Sequence, residues 1–233
     1  MHVMSPDLNA DYQLEKGENM SYRQKLEKIA PKLMSRPWWA MSIATRDLSK
    51  TAGSVWGISL VNINSLEKYT KYFGEPNEGN LALDNVTPWH VEGLTTLSDV
   101  AGDLVDVVGC TNPVIVTYNV PDWSLPLWEN MCEESPVLKS IGASLLDLRS
   151  VYYSIVTERF EFVGGETEEP YKMFHKSKLN KKFGLLSMAD YFGLSIRGEG
   201  MPPDQPAAKA LLTKKVFNAL LDMDYPDEKE SEA

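Results

Sequence analysis

The stretch Trp38–Ala44, WWAMSIA, has almost no polar break, and it constrains the fold more than any other part of the chain. A strand that is apolar on both pleat faces must lie inside a sheet with a layer on each side. The polar stretch RDLSKTAGS at 46–54 punctuates it as a turn, and Val55–Ile63, VWGISLVNI, supplies a second strand. Leu66–Phe73, with Tyr69, Tyr72 and Phe73, reads as a third. Three strands joined by short loops predict an antiparallel meander.

The pattern then changes to alternation. Leu97–Val108 has helical spacing behind a polar start, and Pro113–Thr117, PVIVT, is a β-rich apolar run. A helical Leu125–Cys132, a short strand Ser144–Leu148 and a helical continuation through Tyr153 follow. Such alternation requires crossover connections and therefore parallel pairing onto the same sheet. Two helices close the chain, Leu185–Phe192 and Pro206–Leu221, the second opened by a proline suited to a first helical turn. Before the first strand, residues 21–37 place Leu26, Ile29 and Leu33 at helical spacing and are stopped by prolines. The organisation expected is an N-terminal acidic segment with a short helix over 1–37, a domain over 38–221, and an acidic tail over 222–233.

A length of 233 residues suits one large domain, and 43% hydrophobic with 24% charged residues excludes disordered and collagen-like chains. The formal net charge of -10 opposes binding to a polyanion when taken in bulk. Its distribution weakens that exclusion. Residues 1–20 set four acids against Lys16, and residues 222–233 set six against Lys229, which leaves the body close to neutral. No run approaches the ~18 apolar residues of a membrane helix, and the start lacks the apolar core of a signal peptide, so a cytoplasmic location is expected. Cys110, Cys132, His2, His90 and His175 are too few and too scattered for a structural zinc site, and the cysteines read as buried thiols.

Several local signatures share an order. Ser42-Ile43-Ala44-Thr45-Arg46-Asp47-Leu48 ends the first strand, Glu92-Gly93-Leu94-Thr95 precedes a helix, and Val114-Ile115-Val116-Thr117-Tyr118-Asn119 ends a later strand. Leu146-Asp147-Leu148 ends the next strand, and Leu186 to Leu194, LSMADYFGL, forms a helix. Together they resemble the DnaQ-like, or DEDD, family of 3′–5′ exonucleases. The resemblance spans about residues 38 to 221 and implies a ribonuclease H-like α/β fold, a mixed sheet flanked by helices.

The reaction of that family uses two divalent metals held by carboxylates, which activate water and stabilise the leaving 3′ oxygen. Its first pair of acids corresponds to Ser42 and Ala44, and a hydroxyl and a methyl cannot replace two anionic ligands. Its third acid falls on Trp123, with Asp122 one residue earlier, where a side chain on a regular helix is re-aimed by about 100°. Its general-base His becomes Pro203 and its last metal Asp becomes Ala208. Losses at four positions imply a degenerate nuclease scaffold rather than a single knockout.

Asp122, Asp204 and Asp47 are the acids left near the implied site. Asp122 lies in the turn sequence Asn119-Val120-Pro121-Asp122, Asp204 precedes a helix whose dipole favours acids, and Asp47 fits a turn or cap. His90, in a loop, has no identifiable partner. Lys172, Lys176, Lys178, Lys181 and Lys182 form an acid-free run that includes Phe174 and His175, a composition suited to phosphate contact and base stacking and equally to a solvated loop. Trp38, Trp39 and Trp56 lie within apolar strands and read as core, whereas Tyr118, Trp123 and Trp89 lie near the implied cleft and read as contact residues.

The leading expectation is an exonuclease-fold protein that has lost hydrolysis and needs no cofactor. It binds a single-stranded nucleic acid or a 3′ end, or else a basic protein of DNA or RNA metabolism. The alternatives are an active exonuclease using Mg²⁺ or Mn²⁺ on relocated carboxylates, and a structural subunit of an assembly.

Overall fold

The computed structural model describes residues 20–45, 49–72, 96–109, 112–156, 184–195 and 205–225. Trp38–Thr45 forms β1, Val55–Asn62 forms β2 and Lys68–Tyr72 forms β3. β1 and β2 are buried over most of their length, as two-sided apolar strands require. β1 pairs antiparallel with β2 from Trp39 opposite Asn62 to Ala44 opposite Gly57, and β2 pairs antiparallel with β3. The third strand begins at Lys68 rather than Leu66. The Asn62 side chain accepts the N–H groups of Asn64 and Ser65 at 2.9 and 3.1 Å, which fixes a turn there.

The alternating half follows: α3, Leu97–Val108; β4, Val114–Thr117; a π-helical segment, Val120–Ser124, running into α4, Leu125–Glu134; α5, Pro136–Ser140; β5, Ser144–Asp147; and α6, Leu148–Val156. α7, Leu185–Tyr191, and α8, Pro206–Leu221, complete the set. Thr96 and Asp99 form a capping box at the start of α3, and Gly109 ends it at φ 63°, the left-handed conformation that suits glycine. The sheet order is β3-β2-β1-β4-β5, with β4 parallel to β1 and β5 parallel to β4. The meander and the crossover half thus share one mixed sheet.

Strand alternation divides the core into two layers. Trp38, Ala40, Val114, Val116 and Leu146 face one layer, covered by α6, α7, α8 and the N-terminal helices α1, Tyr22–Ile29, and α2, Pro31–Met34. Trp39, Met41, Ile58, Leu60, Ile115 and Leu145 face the other, covered by α3, α4 and α5. The helix expected over 21–37 is broken at Ala30, because Pro31 cannot extend the ladder and instead opens α2. Trp38, Trp39 and Trp56 are core residues. Trp38 stacks on Phe217 with centroids 5.5 Å apart and donates its ring N–H to the Leu33 carbonyl at 3.2 Å. Cys132 is a free, half-buried thiol pushed up to about 11 by burial. Cys110 lies outside the described residues. Among the described residues no helix is long and apolar enough to cross a membrane.

Candidate functional site

β4 accompanies β1 only from Trp38 to Met41, where Thr117 is the last partner. Beyond that point Ser42 to Thr45 pair with β2 alone, so the sheet has a notch at the carboxyl ends of β1 and β4. The chain leaves β4 through Tyr118 and Asn119, and Asn119 at φ 61° turns it into the π-helical segment. A cleft of about 530 Å³ occupies this notch, bounded also by α8 and the start of α7. Its walls are mostly apolar, with Met41, Ile43, Trp123, Leu185 and Leu212 prominent. Hydroxyls come from Ser42, Thr117, Ser124 and Thr213. Among the described lining residues none is a carboxylate, and Lys209 carries the one formal charge.

Of the residues singled out by sequence, Ser42, Tyr118 and Trp123 meet at this cleft. Ala44 does not. A bulge between Ala44 and Thr45 makes Trp56 the extra residue of β2, and its ring then lies with Tyr72 over the Ala44 methyl, which is 5% exposed. The two rings are 4.9 Å apart. Gly57 makes room for this: a Cβ there would meet the Tyr72 ring at 2.7 Å. Ala208 is wholly buried in the core on α8, one position before Lys209. Asp122 belongs to the π-helical segment, while Asp47, Asp204, Pro203, Trp89 and Lys172, Lys176, Lys178, Lys181 and Lys182 lie outside the described residues.

Sequence reasoning missed Lys209, Thr213 and Leu185, and also the brace beneath Tyr118. Asp147, at the end of β5, is 4% exposed. Its Oδ1 accepts the N–H groups of Asn119 at 3.0 Å, Arg149 at 3.3 Å and Val120 at 3.4 Å, and its Oδ2 accepts the Ser150 hydroxyl at 3.0 Å. Burial raises its pKa, against the lowering by Ser150, by the backbone donors and by the Arg149 charge. Arg149 donates to the Asn119 side-chain oxygen and sets its guanidinium 5.6 Å from the centre of the Tyr118 ring. Burial pushes the Tyr118 hydroxyl up, with smaller opposing effects of Arg149 and Asp147. One signal was legible in the chain: Lys209, Leu212 and Thr213 stand at i, i+3 and i+4 on a single face of α8.

Two divalent metals need hard anionic oxygens at short range. Among the described residues the cleft offers neutral hydroxyls and an ammonium group, which are not such a donor set, and no three His, Cys, Asp or Glu come together.

No family model and no curated protein matches the sequence. Solved structures match the fold. The zinc-bound complex of E. coli exonuclease I with single-stranded DNA superposes with a TM-score of 0.53 at 14% identity, over 80% of this chain and 40% of that one. The complex of the same enzyme with a dA16 oligonucleotide gives 0.52 at 13%, over 80% and 40%. A product-bound structure of exonuclease I gives 0.51 at 13%, over 80% and 45%. This chain therefore spans less than half the length of the exonuclease I chains that it matches. The five-stranded mixed sheet flanked by helices is the ribonuclease H-like fold of exonuclease I, the fold implied by the DnaQ-like resemblance.

Proposed function

We propose that the chain is an exonuclease-fold protein that binds single-stranded nucleic acid in the cleft at the ends of β1 and β4 and does not hydrolyse it. The observation that carries this reading is the filled space at Ala44. Where the DnaQ-like pattern sets an acid, Trp56 and Tyr72 close over a methyl group, and Ser42, two residues earlier, offers a neutral hydroxyl. A binding cleft survives the loss of its metal ligands because phosphate and stacking contacts come from other residues. Tyr118 and Trp123 supply aromatic surface at the cleft, and the lysines of 172–182 add a basic segment of the same chain. The single-stranded DNA bound by the exonuclease I structures supports the choice of ligand class.

The test is a nuclease assay on 3′-labelled single-stranded DNA and RNA in Mg²⁺ or Mn²⁺, with an Asp122→Ala/Asp204→Ala variant alongside. The expected result is full-length substrate in every lane, with binding that weakens steeply as salt rises. Metal-dependent shortening that disappears in the variant would establish the relocated-ligand exonuclease instead. No binding at low salt would assign the fold to a protein partner or a structural subunit.

A further inference from the structure

We infer that Lys209 is the phosphate-binding group of the cleft, and that nucleic acid is held there by this fixed ammonium without a divalent metal. The inference rests on the cleft being a nucleic-acid site, as proposed above. Lys209, Leu212 and Thr213 share the face of α8 that borders the cleft, whereas Ala208 is buried in the core. Lys209 is consequently where α8 presents charge to the cavity.

Three features make that charge available to a ligand. Its ammonium has no ion-pair or hydrogen-bond partner among the described residues, unlike Lys71, which lies 3.8 Å from Asp103, or Lys214, bonded to the Ser65 carbonyl. Its surroundings are apolar, and in such surroundings a charge attracts a phosphate more strongly than at an open surface. No described carboxylate lines the cleft, so among the described residues none competes there with an anion. The same arrangement repels a divalent cation.

Size and remaining chemistry suit a nucleotide. A volume of about 530 Å³ lies within the range of small-ligand sites, and Tyr118 and Trp123 offer surface to a base while Ser42 offers a hydroxyl donor. A single strand places a base beside each phosphate, which matches an apolar wall with a cation beside it.

The full chain, with Lys209→Gln and Lys209→Arg variants, is titrated into fluorescein-labelled single-stranded DNA and RNA and followed by anisotropy. Each series is run in EDTA and in Mg²⁺, over a range of KCl. The native chain should bind at least as well in EDTA as in Mg²⁺, because Mg²⁺ competes for the phosphates. Lys209→Gln should weaken binding about tenfold at low salt and flatten the log-log salt slope by about 0.7, the share of one phosphate contact on a single strand. Lys209→Arg should keep both, and thermal melts of the two variants should match the native chain. Loss of binding in EDTA, or a Lys209→Gln slope equal to the native one, overturns the inference alone. Absence of binding by the native chain overturns it together with the cleft reading.

Discussion

Ala44 is a small residue held in place by two large ones. Its methyl lies under Trp56 and Tyr72, and Gly57 gives the Tyr72 ring the space to lie there. Restoring an acid by Ala44→Glu both overfills this contact and buries a charge. We expect a loss of about 3 kcal/mol in urea denaturation, and no nuclease activity from Ser42→Asp/Ala44→Glu. Tyr72→Ala in the Ala44→Glu background should recover part of the loss, because it opens the space that the acid needs. Asp147 poses the opposite case, an acid that the fold does use. Asp147→Ala leaves the N–H groups of Asn119, Val120 and Arg149 without their acceptor and should cost about 2–3 kcal/mol. Asp147→Asn tests its charge. Because burial raises the folded-state pKa above the unfolded value, the folded chain binds the proton more tightly. That contribution is complete below the unfolded pKa and is lost as pH rises through the folded one. The stability of Asp147→Asn relative to the native chain should therefore improve as pH rises above the ordinary carboxylate range, measured as urea midpoints against pH.

At the scale of elements, the ends of the described chain are fastened together. Ser21 bridges Asp224, the Tyr22 N–H donates to the Met223 carbonyl at 3.0 Å, and Arg23 reaches Asp222 and Asn218 at 3.1 and 3.0 Å. The Arg23–Asp222 contact is exposed and the ring of Tyr22 is not. Tyr22 is 1% exposed and meets Tyr225 edge-on at 5.1 Å. Tyr22→Ala should cost about 3 kcal/mol in denaturant midpoint experiments, and Arg23→Ala less than about 1 kcal/mol, since an ion pair facing water is screened. Elements of this kind were largely legible in the chain. Apolar spacing marks α3 and α8 at their observed bounds, and the two-sided apolar runs mark β1 and β2. Departures occur where hydrogen bonding overrides local pattern: the turn at Asn62, the break at Pro31, and the π-helical segment after Asn119.

For the whole molecule, charge is the remaining lever. The net charge of -10 sits mainly in the two ends, and Asp227, Glu228, Glu230 and Glu232 supply four of its negative charges. Replacing these four with their amides should raise affinity for single-stranded DNA about two- to fivefold at low salt, with the gain fading as the Debye length shrinks. An unchanged affinity across the salt series would show that the tail field does not reach the ligand. The amino-acid sequence by itself determined the mixed sheet, the content of its strands and helices, and the absence of acids at Ser42 and Ala44, because periodicity and residue chemistry are local properties. Only the tertiary structure decided that Trp56 and Tyr72 close over Ala44, that Asp147 braces the turn bearing Tyr118, and that Lys209 lines the cleft. Those outcomes depend on a bulge, a strand register and a helix face that bring together residues far apart in the chain, and local pattern carries no record of such meetings.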